Sequence, residues 1–403
     1  MKTYKTISLS QSSQDTKKNG LLYYWITGKF EAINPSIHLS SVIRVFVVQI
    51  FFAAFFINTA LADSGTSRSK TFTVSKGGNL EVSVSGGDIS INTWDKNEVS
   101  VRVEGVDDDD LEDLEISQSD NTVRVDFRPH WGFSGDARFD IRMPQEFDAD
   151  VHTSGGNIDV RGVVKGRVKG VTSGGDVSTG DVEGMVTLRT SGGDVQVGAV
   201  SGETEVSTSG GNIRVKKVGK SFKASTAGGD IELGDVGGDA TVSTAGGDIT
   251  VGKVSGNATL RTAGGNIELQ SASGTVSAKT SGGDLELHNV TGSVEGKTSG
   301  GNVTAELTPS GKGHSDLSSS GGDISLYIDE NAHATIEATI RLRGSSWWHS
   351  DEKYDIHSDF KAAEYHKDKD DGDIYGKYIL NGGGESITLK TSAGNIEIRK
   401  LAK

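Results

Sequence analysis

The run Asp248-Ile249-Thr250-Val251-Gly252-Lys253-Val254-Ser255-Gly256-Asn257-Ala258-Thr259-Leu260-Arg261-Thr262-Ala263-Gly264-Gly265 decides the fold. Ile249 and Val251 alternate with Thr250, and Ala258 and Leu260 alternate with Thr259 and Arg261. Each stretch is therefore a short strand with one apolar face. Val254 is apolar between the two, Ser255-Gly256 supplies a corner, and Thr262-Ala263-Gly264-Gly265 leads into another copy. The neighbouring copies read Ile231, Leu233, Val236, Ala240, Val242 on one side and Ile267, Leu269, Ala272, Val276, Ala278 on the other. One such turn cannot bury its own apolar face. Stacked copies, about 4.8 Å apart, form a continuous core and pair their backbones.

The corner signature, Ser/Ala-Gly-Gly-Asp/Asn before Ile, Val or Leu, puts its Asp or Asn at 176, 194, 212, 230, 248, 266, 284 and 302, always 18 residues apart. Looser copies fall at Asp88, Asn157 and Asp323, and Ser392-Ala393-Gly394-Asn395-Ile396 closes the chain. A fixed period of this kind marks a solenoid. The expected fold is all-β: a single-stranded parallel β-helix with 18-residue turns, two main strands and a minor third side near Val254, and irregular capping ends. A hexapeptide-repeat helix fits less well, because Asp248 stands six positions before Val254. The Gly-Gly pair predicts corners with positive φ. The Asp or Asn after it is suited to bond nearby backbone amides.

Working outward, residues 63–150 carry degenerate strand-like alternation, 151–342 the regular solenoid, 343–376 a polar aromatic insertion and 377–403 closing strands. The run Asp107 to Asp110 reads as a solvated loop. Val45 to Ile57 matches the apolar core of a signal peptide, and Ala60-Leu61-Ala62 a cleavage site, so maturation is expected before Asp63. The extension ahead of it is long for a signal peptide, which suggests a translation start near Val42 or Val45; an uncleaved signal anchor is the alternative. Removing residues 1–62 changes the net charge from −14 to −18. Such a chain lacks the basic excess of a nucleic-acid binder. With no cysteine, disulfides, thiolate metal sites and a lipid-modified Cys are excluded.

The opening Phe72 to Leu80, Ser85-Gly86-Gly87-Asp88-Ile89 and Asn92-Thr93-Trp94-Asp95 resembles that of the bacterial putative-adhesin family of unknown function with β-strand repeats. Met143-Pro144, the stretch Asp150 to Ile158 and the final Gly394-Asn395-Ile396 fit as well. The resemblance covers residues 71–401 and implies a cell-envelope or surface β-solenoid; it brings no catalytic residues. The insertion departs from the family's plainer forms and inherits nothing.

Three candidate sites stand out. The Asp/Asn column invites Ca²⁺, yet the Gly-x-Gly-x-Asp spacing of calcium β-rolls is missing, so turn chemistry is the expected role. A Thr column at 172, 190, 208, 226, 244, 262, 280 and 298 invites ice binding, but its parity is that of inward Ala258 and Leu260, so an internal or corner hydrogen-bond ladder is expected. In the insertion, Trp347 and Trp348 with Tyr354 are the candidate ligand-binding residues, and His349, His357 and His366 lie among Asp and Lys. A hydrophobic cap, a sugar-stacking surface and a metal site are the readings that remain open there.

The sequence thus leads to an exported scaffold or adhesin of the periplasm, surface or medium, without catalysis, cofactor or metal, whose partner is a glycan or a cell-surface protein. The alternative is a carbohydrate-active β-helix enzyme of lyase or hydrolase type. Outward residues at Ser178, Gln196, Arg214, Glu232 and Thr250 change from turn to turn, so spacing fixes no catalytic acid pair.

Overall fold

Alternation in the regular turns becomes two long parallel sheets. A computed structural model describes residues 67–129, 137–309, 313–342, 354–367 and 373–402. One sheet stacks Ile213–Val218, Ile231–Val236, Ile249–Val254 and Ile267–Ala272 in parallel. The other stacks Phe222–Ser225, Ala240–Ser243, Ala258–Arg261 and Val276–Lys279. Ile231, Ile249 and Ile267 form one buried column, as the period requires. The third side is the far end of the first strand, where Val218, Val236, Val254 and Ala272 pair in register and are buried. The pairing of each sheet runs from one end to the other without closing on itself, so the molecule is a solenoid and not a barrel. Among the described residues the sole helical element is a short 3-10 turn, Asp110–Asp113, beside the acidic loop.

The corners work differently from the sequence expectation. Within the repeated Gly-Gly pairs among the described residues, Gly87 alone has a positive φ, at 104°. The second glycine is needed instead because it touches the turn before it: a Cβ on Gly247 would lie 2.2 Å from the Gly229 carbonyl oxygen. The first glycine is less constrained, since a Cβ on Gly246 would be 3.2 Å from Gly228 O.

Polar ladders fix these corners. Each Thr of the column donates to a corner carbonyl one turn back, and from Thr190 onward each also accepts from its own corner: Thr244 Oγ1 reaches Gly229 O at 2.9 Å, and the Gly247 amide reaches Thr244 Oγ1 at 3.3 Å. Beside it, the Asp248 amide donates to Asp230 Oδ1 and the Asn266 amide to Asp248 Oδ1. The Asp/Asn ladder continues from Asp88 to Asp355.

At both ends the order of layers departs from the order of the chain. Gly78–Val84 lies between Thr122–Phe127 and Phe147–Thr153, and Asp88–Trp94 between Arg138–Pro144 and Ile158–Arg161. At the other end Glu385–Thr391 is inserted between His314–Ser318 and Ala334–Ile340, and Ile396–Lys400 between Ile324–Ile328 and Ile356–Ser358. Antiparallel strands then close the stack: Arg68–Thr73 and Leu114–Ser119 at one end, Ile374–Leu380 and Glu364–Lys367 at the other. Arg68 and Lys70, on the edge strand, donate to the Leu111 and Ile116 carbonyls and so tie the two sheets together. Charged edges and antiparallel covers are how sheets avoid edge-to-edge pairing.

Candidate binding surface

Trp347 and Trp348, with His349, lie outside the described residues. Tyr354 is half-buried and packs on the core at the C-terminal end, as do Phe360 and Ala362. Tyr365 is exposed; its hydroxyl donates to the Asp355 carboxylate, which also meets Lys367 at 3.2 Å. Partial burial and the Asp355 charge push the Tyr365 hydroxyl well above its usual range. His357 is exposed, and His366 sits against Tyr375 with 5.1 Å between ring centres. No group of three metal-ligating side chains is present among the described residues.

The Thr column offers no surface to water. Thr172 to Thr298 are all buried, and their hydroxyls are spent on the corners. The Asp/Asn column has one carboxylate or amide oxygen committed to the next turn's amide throughout.

A shallow groove of about 380 Å³ runs along the sheet that carries the isoleucine column. One wall is the row Gln196, Arg214, Glu232 and Thr250, all exposed. Beside it the next outward column runs Lys216, Gly234, Gly252 and Gln270, so a bare glycine stretch is closed by a cation at one end and an amide at the other. Gly234 cannot carry a side chain, because a Cβ there would lie 1.9 Å from Lys216 O. With layers about 4.8 Å apart, the lined stretch is about 20 Å long. Arg214 meets Glu232 at 3.4 Å across one step of the row.

Sequence reasoning noticed this row only as a set of changing outward residues. The signal that marks it is the glycine column at 180, 198, 234 and 252, interrupted by Lys216. Groove, not cap, is the surface that the regular turns build.

The family model that matches the chain is Toastrack DUF4097, over residues 63–234 and 201–346. None of the curated proteins matches. Among solved structures, a putative cell adhesion protein from Clostridium sporogenes is 8% identical, with 84% of this chain and 100% of that one covered and a TM-score of 0.20. A putative adhesin from Parabacteroides merdae is 11% identical, with 66% and 92% covered and a TM-score of 0.27. A putative lipid binding protein from Parabacteroides distasonis is 12% identical, with 84% and 98% covered and a TM-score of 0.22. None of these descriptions names an enzymatic activity.

Proposed function

We propose that this protein, which belongs to the Toastrack DUF4097 family, is an exported, non-catalytic scaffold of the cell envelope or surface that holds an extended glycan along its groove. The observation that carries this reading is the axial row of hydrogen-bonding groups beside a bare glycine column. A linear polymer presents hydroxyls at regular intervals, and the solenoid presents Gln196, Arg214, Glu232 and Thr250 one layer apart along the same direction, with Gln270 at the end of the neighbouring column. Binding without a deep pocket then comes from many modest contacts, each worth about 0.5–1.5 kcal/mol.

The carboxylate arrangement favours binding over hydrolysis. Glycoside hydrolysis needs two carboxyl groups, one of them free to donate a proton, about 5–10 Å apart. Glu232 meets Arg214 at 3.4 Å and is the one carboxylate that lines the groove. Nearby Asp230 and Asp248 each accept an amide of the following turn.

No helix among the described residues is long and apolar enough to cross a membrane. Export is carried by the apolar stretch Val45 to Ile57 and the Ala60-Leu61-Ala62 site. Mass spectrometry of the mature N-terminus tests it; a chain still beginning before Val42 overturns cleavage before Asp63. For the groove, glycan-array binding of the wild type is compared with Gln196→Ala/Gln270→Ala. Loss of binding with an unchanged melting temperature supports the reading. Unchanged binding moves the contact elsewhere, and Trp347→Ala/Trp348→Ala then asks whether the tryptophan pair, with Tyr354, is the contact.

A further inference from the structure

We infer that the groove selects an acidic glycan, read by a belt of cations that one turn of the solenoid wraps around the molecule. This rests on the glycan-binding reading above. The stretch Ile213-Arg214-Val215-Lys216-Lys217-Val218-Gly219-Lys220-Ser221-Phe222-Lys223 carries five basic residues and no acidic one, in a chain of net charge −14. Ile213, Val215, Val218 and Phe222 point into the core, so all five cations are left on the outside. They share one layer, about 4.8 Å thick. Arg214 and Lys216 line the groove, Lys217 follows on the third side, Lys220 stands at the corner and Lys223 lies on the opposite sheet.

Pairing within the protein does not account for this concentration. Arg214 meets Glu232 at 3.4 Å and Lys223 meets Glu205 at 3.7 Å. Lys216, Lys217 and Lys220 have no carboxylate within 4.0 Å among the described residues. On the opposite sheet Lys169 meets Asp150, Arg189 meets Glu205, and Lys279 and Lys297 meet Glu295, while Arg261 and Lys390 stand singly in their layers with no carboxylate within 4.0 Å among the described residues. Stacking needs no charge here, and like charges side by side weaken a turn. Lys217 has Asp235 beside it in register, so the groove cation left without a facing carboxylate is Lys216, next to Arg214, where an anionic ligand would be met.

The face also sets a direction. Glu232 within the outward row is met by Arg214, and beyond Thr250 the row becomes Glu268, half-buried, and Glu286, exposed, which repel an anion. Before the belt it is the neutral Gln196. An acidic chain is thus drawn to the end of the groove marked by Lys216, placing a carboxylate or sulfate on Lys216 and Lys217 and its hydroxyls against Gln196 and Thr250. Charge-assisted hydrogen bonds are roughly twice as strong as neutral ones.

The test uses the purified protein and two matched pairs of polymers: polygalacturonate against its methyl ester, and carboxymethylcellulose against hydroxyethylcellulose. The expected result is binding about tenfold tighter for the acidic member of a pair. That preference should shrink as salt rises from 50 mM toward roughly 500 mM. Lys216→Gln/Lys217→Gln should erase it, so that the variant, still melting cooperatively, binds the acidic and the neutral member of each pair alike. Equal binding of both members by the wild type overturns the acidic preference and leaves the groove reading standing. An acidic preference that survives in the double variant overturns the belt as its reader. Binding of neither pair, with the array also blank, sinks the groove reading and this one with it. Tighter binding of duplex DNA than of any polymer also overturns the proposal.

Discussion

Between residues 158 and 307 a strand lies beside the strand one repeat away; at the two ends it does not. In the middle, Ile231 pairs with Ile249 and Ile249 with Ile267, so chain order and layer order coincide. At the C-terminal end, the Asn395 amide bonds Asp323, 72 residues earlier, and the last strands sit inside the stack with Ala334–Ile340 outside them. The N-terminal end is arranged alike, with Gly78–Val84 beneath Thr122–Phe127 and Leu114–Ser119. The strands of 78–94 and 385–400 are thus held under segments that the chain builds elsewhere. The middle is modular because its contacts are local, whereas each end must be completed by closing a long loop, at an entropic cost that grows with the logarithm of its length.

Deletions of similar length should separate the two regimes most strongly. Removing residues 249–266 leaves Asp248 joined to Ile267, and the layers of Ile231 and Ile267 meet in the same register. That variant should fold, with a modest loss of stability. Ending the chain after Gly384 removes an internal layer instead, so 334–380 loses its seat on 314–328. It should aggregate or lose the cooperative melting transition. Circular dichroism melts and size-exclusion chromatography decide; a soluble, cooperative truncation breaks the distinction drawn between middle and end.

The next effect sharpens the account of the corners. Gly247→Ala drives a Cβ into the Gly229 carbonyl, and overpacking of this kind costs about 1–3 kcal/mol or more. Gly246→Ala has 3.2 Å of room and should cost less than about 1 kcal/mol. Urea midpoints of the two variants should differ in that order. Equal midpoints would return the corner to the φ-based explanation.

How much the sequence revealed follows the same division. Period 18 and alternation at Ile249, Val251, Ala258 and Leu260 yield the sheets, the isoleucine column and the buried Thr ladder, because each is a short-range consequence of parity. The reason for Gly-Gly was misread, since the clash that demands glycine comes from the neighbouring turn and leaves no trace within one repeat. The end layers could not be read: alternation at Leu80, Val82 and Val84 identifies a strand but does not say whether Val123 or Ala149 lies beside it. The groove was half visible, as the outward row and the glycine column are both periodic, while their adjacency is a property of the stacked structure. Trp347 and Trp348 drew notice for their bulk and fall outside the described residues; Tyr354 packs on the core.

Two buried threonines sharpen the ladder at smaller scale. Thr208 donates to Gly193 O at 2.8 Å and accepts from the Gly211 amide. Thr208→Val strands both corner groups and should cost about 1–3 kcal/mol. Thr204 lies only four residues earlier, in the column of Val186 and Phe222, and its buried hydroxyl has no partner. Thr204→Val should therefore stabilise, by up to roughly 1–2 kcal/mol. Opposite signs in denaturant melts support the ladder; a loss in both variants would mean that the Thr204 hydroxyl does find a partner.

The smallest effect concerns the acid that an irregular end has admitted into the core. The layer of Glu385 places it in register with Gly313, where the regular turns carry Gly292 and Gly274, and it is 3% exposed. Burial pushes its carboxyl above the usual 4.5, while a 3.1 Å bond from the Ser315 hydroxyl and the nearby His314 pull the other way. A raised value means that the folded protein binds this proton more tightly than the unfolded chain does. The stabilising contribution is thus complete below about pH 4.5 and is lost as pH rises through the folded value. Glu385→Gln keeps an acceptor for Ser315 without the charge. It should match the wild type near pH 4.5 and melt higher at pH 7.5, by up to roughly 2 °C. Melting curves across that range test the point, since a variant whose profile runs parallel to the wild type would show that Glu385 is solvated in the folded state. The regular turns, with glycine at this place, should contribute no such pH dependence.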